Sequence, residues 1–183
     1  GRFSHMIFHI LKSINNIYTG LGEDGNLYTL RIKGKVLKNK ESEYNPVVVG
    51  DYVDGEPYSK TEALLLSVTE RKSYFMRWNK KANLNQTICS NQDITAIVFS
   101  PLSPPFRPRF VDRAIACTFS SDILLVLNKI DYGLTEDEKD RYELYKELGY
   151  NAIAVSSVTM QGIDRLKEII KNKTVAFVGQ SGV

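Results

Sequence analysis

The sequence predicts a two-part chain, a small all-β barrel followed by a parallel α/β sheet. Three observations predict it. Across residues 6–70, short β-branched and aromatic runs alternate with turn signals. From residue 93 onward, apolar runs of strand length alternate with helical patterns, the order of a parallel sheet with crossover helices. Between them, residues 71–92 are basic, aromatic and then polar, and read as a linker. With 43% hydrophobic and 25% charged residues in 183, both parts can bury a core.

In the first part, residues 1–5 read as a tag remnant and Met6 as the native start. Strands are expected at 16–20, 27–32, 47–49 and 63–68, with Glu23-Asp24-Gly25-Asn26 as the turn joining the first two. Tyr28, Leu30 and Ile32 alternate with Thr29 and Arg31, as in a half-exposed strand. About five short strands in this span suggest a closed barrel of the oligonucleotide-binding type.

In the second part, Ile94 to Phe99 is apolar throughout, as a strand covered on both faces must be. Pro101, Pro104, Pro105 and Pro108 impose a loop. A helix is expected over 110–119, with Val111, Ala114, Ile115 and Thr118 on one face. The next strand is 123–127. Thr135 and Glu138 form a capping box that starts a helix ending at Leu148, before Gly149. Strand 152–155, a helical stripe of Ile163, Leu166, Ile169 and Ile170, and strand 174–178 complete the order.

No apolar run approaches the roughly 18 residues of a membrane span, and no signal-peptide pattern is read. Cys89 and Cys117 lack metal-ligand spacing and read as apolar fillers in a reducing cytosol. No metal ligand is assigned. Residues 1–90 carry 13 Lys/Arg against 9 Asp/Glu, and residues 91–183 carry 11 against 12. A nucleic-acid partner is therefore expected on the first part.

Ligands of an open parallel sheet bind beyond the carboxyl ends of its strands. Three strands end in informative residues. Strand 123–127 runs into Asn128-Lys129-Ile130-Asp131. A carboxylate at Asp131 can accept from both the ring N–H and the exocyclic amine of guanine, a donor pair adenine lacks. Asn128 can bond the ring or tie neighbouring loops, and the Lys129 stem can lie over the base. Strand 152–155 runs into Ser156-Ser157, whose backbone N–H groups can meet the guanine carbonyl. Strand 174–178 runs into Gly179-Gln180-Ser181-Gly182-Val183, the start of a phosphate-binding loop. The sequence stops before that loop's second glycine, lysine and Ser/Thr, so the chain is expected to be truncated there and hydrolytically inert.

The order is base-recognising loop, Ser-Ser loop, then phosphate loop, the reverse of ordinary GTPases. On these residues the chain resembles the circularly permuted GTPases of small-ribosomal-subunit maturation, the RsgA or YjeQ family. Pro46-Val47-Val48-Val49-Gly50-Asp51-Tyr52-Val53 is similar to that family's Pro-x-Val-Gly-Asp stretch, with one extra residue. Arg71-Lys72-Ser73-Tyr74 and Asp112-Arg113 also match, while Ser157 stands where the family usually has Ala.

The resemblance implies a barrel of the oligonucleotide-binding type at 6–70 and a permuted GTPase domain from 93. It implies GTP/GDP and Mg2+ as ligands, and a further zinc-binding domain for Zn2+, with no ligands for either metal in this chain. It implies the small ribosomal subunit and its rRNA as partners, in the cytoplasm, for a monomer. The expected RNA contacts are Arg71, Lys72, Arg77, Lys80 and Lys81, with Lys33 and Lys35 as an extended rim beside Lys38 and Lys40. Tyr74, Phe75 or Trp78 can stack on bases. No residue is assigned to position an attacking water. The rival expectation is a non-enzymatic RNA-binding module whose α/β half is a scaffold.

Overall fold

Five strands close the N-terminal barrel in a computed structural model that describes residues 4–33, 46–81, 83–100 and 108–179. They are β1 (Met6–Ile14), β2 (Ile17–Gly22), β3 (Leu27–Ile32), β4 (Tyr52–Pro57) and β5 (Glu62–Val68). The order is β1-β2-β3-β5-β4, with β4 returning to β1. The β3–β5 pair is parallel, and the other pairs are antiparallel. Alternation sends Phe8, Ile10, Tyr18, Tyr28, Leu30, Val53, Ala63 and Leu65 inward, with Val47 beside them. Phe8 and Tyr28 meet edge to face at 5.0 Å.

Two strands, β1 and β4, escaped the sequence reading. The Gly55 and Pro57 of β4 look like turn residues, yet glycine is required there because a Cβ would lie 2.6 Å from the Phe8 ring. The strand expected at 47–49 is not one. Val47 and Val48 are buried loop residues, and only Val49 makes an isolated bridge, to Cys89.

The expected linker is also structured. Residues 71–92 contain β6 (Tyr74–Asn79) and β7 (Leu84–Ser90), an antiparallel hairpin. A register shift between Phe75 and Met76 breaks its alternation, which hides the pairing from a period-2 reading. The hairpin belongs to the same unit as the barrel, Gly1–Asn91.

A buried ion pair joins them. Asp51 is fully buried, and its carboxylate accepts Arg71 Nε at 2.8 Å and Arg71 Nη2 at 2.9 Å. It also accepts the Ser90 hydroxyl at 2.6 Å and the Val48 amide at 2.9 Å. The Arg71 guanidinium donates in addition to the Pro46 carbonyl. Gly50 has φ +98°, and a Cβ there would come within 2.0 Å of the Ser90 carbonyl oxygen. Only glycine lets the loop approach β7 this closely.

The second unit, Gln92–Val183, is a four-stranded parallel sheet in the order β11-β10-β8-β12. Its strands are β8 (Ile94–Phe99), β10 (Asp122–Leu127), β11 (Asn151–Ala154) and β12 (Val175–Gly179); a two-residue β9 (Thr118–Phe119) precedes β10 in the chain and is not part of this sheet. The helices are α1 (Pro108–Ala116), α2 (Glu136–Glu147) and α3 (Ile163–Ile170). Ile163, Leu166, Ile169 and Ile170 of α3 pack on Ile94, Ala96, Leu124, Val126 and Ile153.

The capping box forms as expected. Thr135 Oγ1 accepts the Glu138 amide, and Glu138 accepts the Thr135 amide at 2.9 Å. Helix α1 ends at Ala116, three residues early, and Thr118 instead donates its hydroxyl to the Ala114 carbonyl. Asp112 ties α1 to α2 by accepting the Tyr145 hydroxyl at 2.8 Å and Arg141 Nη2 at 3.2 Å. Burial, then the Asp112 carboxylate, push the Tyr145 phenol up to about 12. Among the described residues no helix is long and apolar enough to cross a membrane.

Candidate nucleotide site

The parallel register aligns the strand ends. Leu127 pairs with Phe99 and with Ala154, and Gly179 pairs with Val98. Residues following these strands therefore emerge on one rim of the sheet. The rim carries Asn128–Asp131 after β10, Val155-Ser156-Ser157 after β11, and Gly179 at the end of β12.

Backbone bonds seat the first loop between its neighbours. The Asn128 amide donates to the Phe99 carbonyl at 2.8 Å, and the Ile130 amide to the Val155 carbonyl at 3.3 Å. Asn128 Oδ1 accepts the Lys129 amide at 2.9 Å, and Lys129 sits in the left-handed region at φ 61°. The chain then enters a 3-10 turn, Ile130–Tyr132, that presents Asp131 to solvent.

Ser156 organises the second loop. It is fully buried. Its hydroxyl donates to Asp131 Oδ1 at 2.7 Å and accepts the Thr159 amide at 3.1 Å. One proton and one lone pair thus fix the Asp131 carboxylate and the turn beyond it. Gly162 closes that turn at φ +76°, where a Cβ would lie 2.2 Å from the Ala154 carbonyl oxygen.

One expected role changes. The Ser156 amide already donates to the Gln161 carbonyl at 3.0 Å, so it is not available to a guanine carbonyl. Ser157 is exposed at the same rim. The Ser156 side chain, which the sequence reading left without a task, holds the carboxylate instead. Its signal was too weak to find, because a serine after a strand is common and its partner lies 25 residues away.

Gly179 is the described part of the phosphate-loop stretch; Gln180, Ser181, Gly182 and Val183 lie outside the described residues. Among the described residues no group of three or more His, Cys, Asp or Glu is placed to hold a metal ion. Burial raises the Cys89 thiol to about 11, which keeps it protonated and unreactive at neutral pH.

The expected RNA contacts divide. Arg71 is removed from that set, because its guanidinium is committed to buried Asp51. Phe75 is buried. Lys72, Arg77, Lys80 and Lys81 are exposed on or beside the β6–β7 hairpin, with Trp78 51% exposed among them. Lys33 is exposed after β3, and Lys35, Lys38 and Lys40 lie outside the described residues.

Comparison with known proteins finds a family model described as RsgA GTPase matching residues 68–183. The small ribosomal subunit biogenesis GTPase RsgA of Borrelia recurrentis (strain A1) is 40% identical over 179 residues, covering 96% of this chain and 57% of that protein. The protein of the same name from Borreliella burgdorferi (strain ZS7) is 38% identical over 183 residues, covering 98% and 60%. The crystal structure of YjeQ from Thermotoga maritima superposes with a TM-score of 0.69 at 22% identity, over 98% of this chain and 62% of that one. YloQ, described as a circularly permuted GTPase, superposes at 0.63 with 26% identity, over 98% and 61%. The chain spans 57–60% of the length of these two curated relatives.

Proposed function

The chain belongs to the RsgA GTPase family, and from that premise we propose that it supplies the RNA-contacting barrel and the guanine-reading rim of a GTPase acting in small-ribosomal-subunit biogenesis. The observation that carries the nucleotide reading is the bond from buried Ser156 to Asp131. It holds a carboxylate at the carboxyl end of a parallel sheet, on the rim where Gly179 begins a phosphate loop. Asp131 then accepts the guanine ring N–H and amine, the Ser157 amide donates to the guanine carbonyl, and the Lys129 stem covers the base. Gly179 to Val183 begin the cradle for the phosphates, where backbone N–H groups favour anions.

In the complete protein the reaction is GTP hydrolysis, with Mg2+ neutralising phosphate charge when bound. No residue of this chain is assigned to that step or to zinc. The small ribosomal subunit stimulates turnover, and the protein works as a cytoplasmic monomer. Lys72, Arg77, Lys80, Lys81 and Lys33 meet rRNA phosphates, and Trp78 stacks on a base.

Amide NMR of the chain tests the nucleotide reading. GDP should move the resonances of Asn128–Asp131 and of Ser156–Val158, while ADP at equal concentration leaves them in place. Equal responses to both, or none, would leave only the RNA-binding module.

A substitution tests the role of Ser156. Ser156→Ala removes the donor that orients Asp131 and should weaken GDP binding roughly 5- to 10-fold, the size of one hydrogen bond to a partly solvated charge. Titration calorimetry of both proteins gives the ratio, and unchanged affinity would remove the positioning role.

A further inference from the structure

The chain passes from its first unit to its second without a linker. Asn91 is the last residue of the first unit and Gln92 the first residue of the second. Each is held inside its own unit, so no slack residue lies between them.

Asn91 is held by main chain and side chain together. Its amide donates to the Ser73 carbonyl at 2.7 Å. Its Oδ1 accepts the Lys72 amide at 2.8 Å, and its Nδ2 donates to the Gly50 carbonyl at 3.0 Å and to the Ser90 hydroxyl at 3.4 Å. That hydroxyl in turn donates to buried Asp51. The Asn91 backbone is left-handed, at φ 57°, a region asparagine enters more readily than most residues with a side chain. The residue type is therefore set twice. A carboxylate would face the Gly50 carbonyl with an acceptor, and glycine would keep the backbone but lose every side-chain bond.

The second unit takes hold at the next residue. Gln92 is 3% exposed, and its Nε2 donates to Thr95 Oγ1 at 3.1 Å. The Asp93 amide donates to the Thr174 carbonyl, and the Asp93 carboxylate accepts the Thr174 amide, both at 2.8 Å. Strand β8 then runs between β10 and β12, paired on both edges. At the usual rise its six residues cover about 20 Å. At its far end the Phe99 carbonyl accepts the Asn128 amide. A strand paired on both edges thus has the base-reading loop at one end and, two residues before Asp93, the anchored Asn91 at the other.

We propose that Asn91 is a coupling pin: nucleotide at the rim restrains β8 from its Phe99 end, and through Gln92 and Asn91 this slows opening of the loop of Gly50 and Asp51 in the barrel unit. The pin rests on the reading of residues 128–131 as the guanine loop, and names a segment to which that loop reports. Opening the Gly50 loop requires the Asn91 side chain to let go, which frees the backbone that leads into β8. A ligand that makes β8 harder to displace therefore makes the loop harder to open. Amide exchange measures such local opening directly.

The test is hydrogen exchange of the 183-residue chain, followed by NMR with and without saturating GDP, at a temperature where Trp78 fluorescence shows parent and variants folded. The reporters are the Gly50 and Ser90 amides, which donate to the Ile10 and Val49 carbonyls and keep those acceptors in every variant. In the parent, GDP should slow both by about 5-fold or more, the low end of ordinary coupling between two sites. Asn91→Gly keeps the backbone and removes the side-chain bonds; Asn91→Asp removes only those from Nδ2. In both, the slowing at Gly50 and Ser90 should be lost while the effect of GDP on residues 128–131 persists.

If GDP slows exchange at residues 128–131 of the parent but not at Gly50 and Ser90, the pin is wrong and the nucleotide reading stands. If GDP slows exchange nowhere, the nucleotide reading fails and the pin falls with it. Equal slowing in the parent and both variants would mean that the effect travels by another route, which also overturns the pin.

Discussion

Arg71→Ala is expected to unfold the N-terminal unit at temperatures where the parent is fully native. Asp51 is fully buried, and the Arg71 side chain that neutralises it is only 15% exposed. Removing the guanidinium leaves a buried carboxylate with two neutral donors, Ser90 and Val48. Breaking such a pair from one side costs about 3–5 kcal/mol. In a unit of this size that corresponds to a fall in Tm of at least roughly 12 °C.

The lone tryptophan, Trp78, lies on β6 and gives the unit its own fluorescence signal during thermal unfolding. Arg71→Lys keeps the charge but loses the two-pronged geometry and should fall between parent and Ala. The double variant Asp51→Asn/Arg71→Met removes both charges and should recover much of the loss. If the double variant is as unstable as Arg71→Ala, the orphaned charge is not the cause. A Tm for Arg71→Ala within about 3 °C of the parent would mean that the clamp contributes little.

The second large effect is on base choice. Asp131→Asn replaces a double acceptor by one acceptor and one donor. Guanine then presents its amine to an amide N–H, whereas xanthine presents a carbonyl that this N–H can meet. The preference for GDP over XDP should therefore fall roughly 100-fold or more, the size of losing one charged hydrogen bond and facing a donor with a donor. Competition calorimetry with the two nucleotides measures the ratio. Because Ser156 holds Asp131 through Oδ1, the Asn oxygen can keep that bond, so the variant should retain its fold. A preserved preference for GDP would move base recognition away from Asp131.

The parts of the chain that were legible are local. The Thr135–Glu138 capping box spans four residues and forms as written. The stripe of α3 and the apolar runs of β8 and β10 follow from period alone, because burial on one or both faces acts residue by residue. The Asn-Lys-x-Asp stretch stood out as a candidate because the proposed base contacts need those side chains at that spacing.

The parts that were not legible depend on partners far away. The β6–β7 hairpin was hidden by its bulge, and the loop of Val47 and Val48 looked like a strand because burial and strand formation favour the same residues. Arg71 looked like an RNA contact because an exposed cation and one folded onto a carboxylate 20 residues back have the same sequence signature.

By itself, the sequence determined the all-β and α/β halves and the family. Each of these depends on side-chain type and short spacing. Only the tertiary structure decided that Arg71 locks the barrel to its hairpin. It also decided that the Ser156 hydroxyl holds Asp131 while the Ser156 amide is spent on Gln161. Each of these is set by strand order and register, which bring together groups that the chain itself keeps far apart.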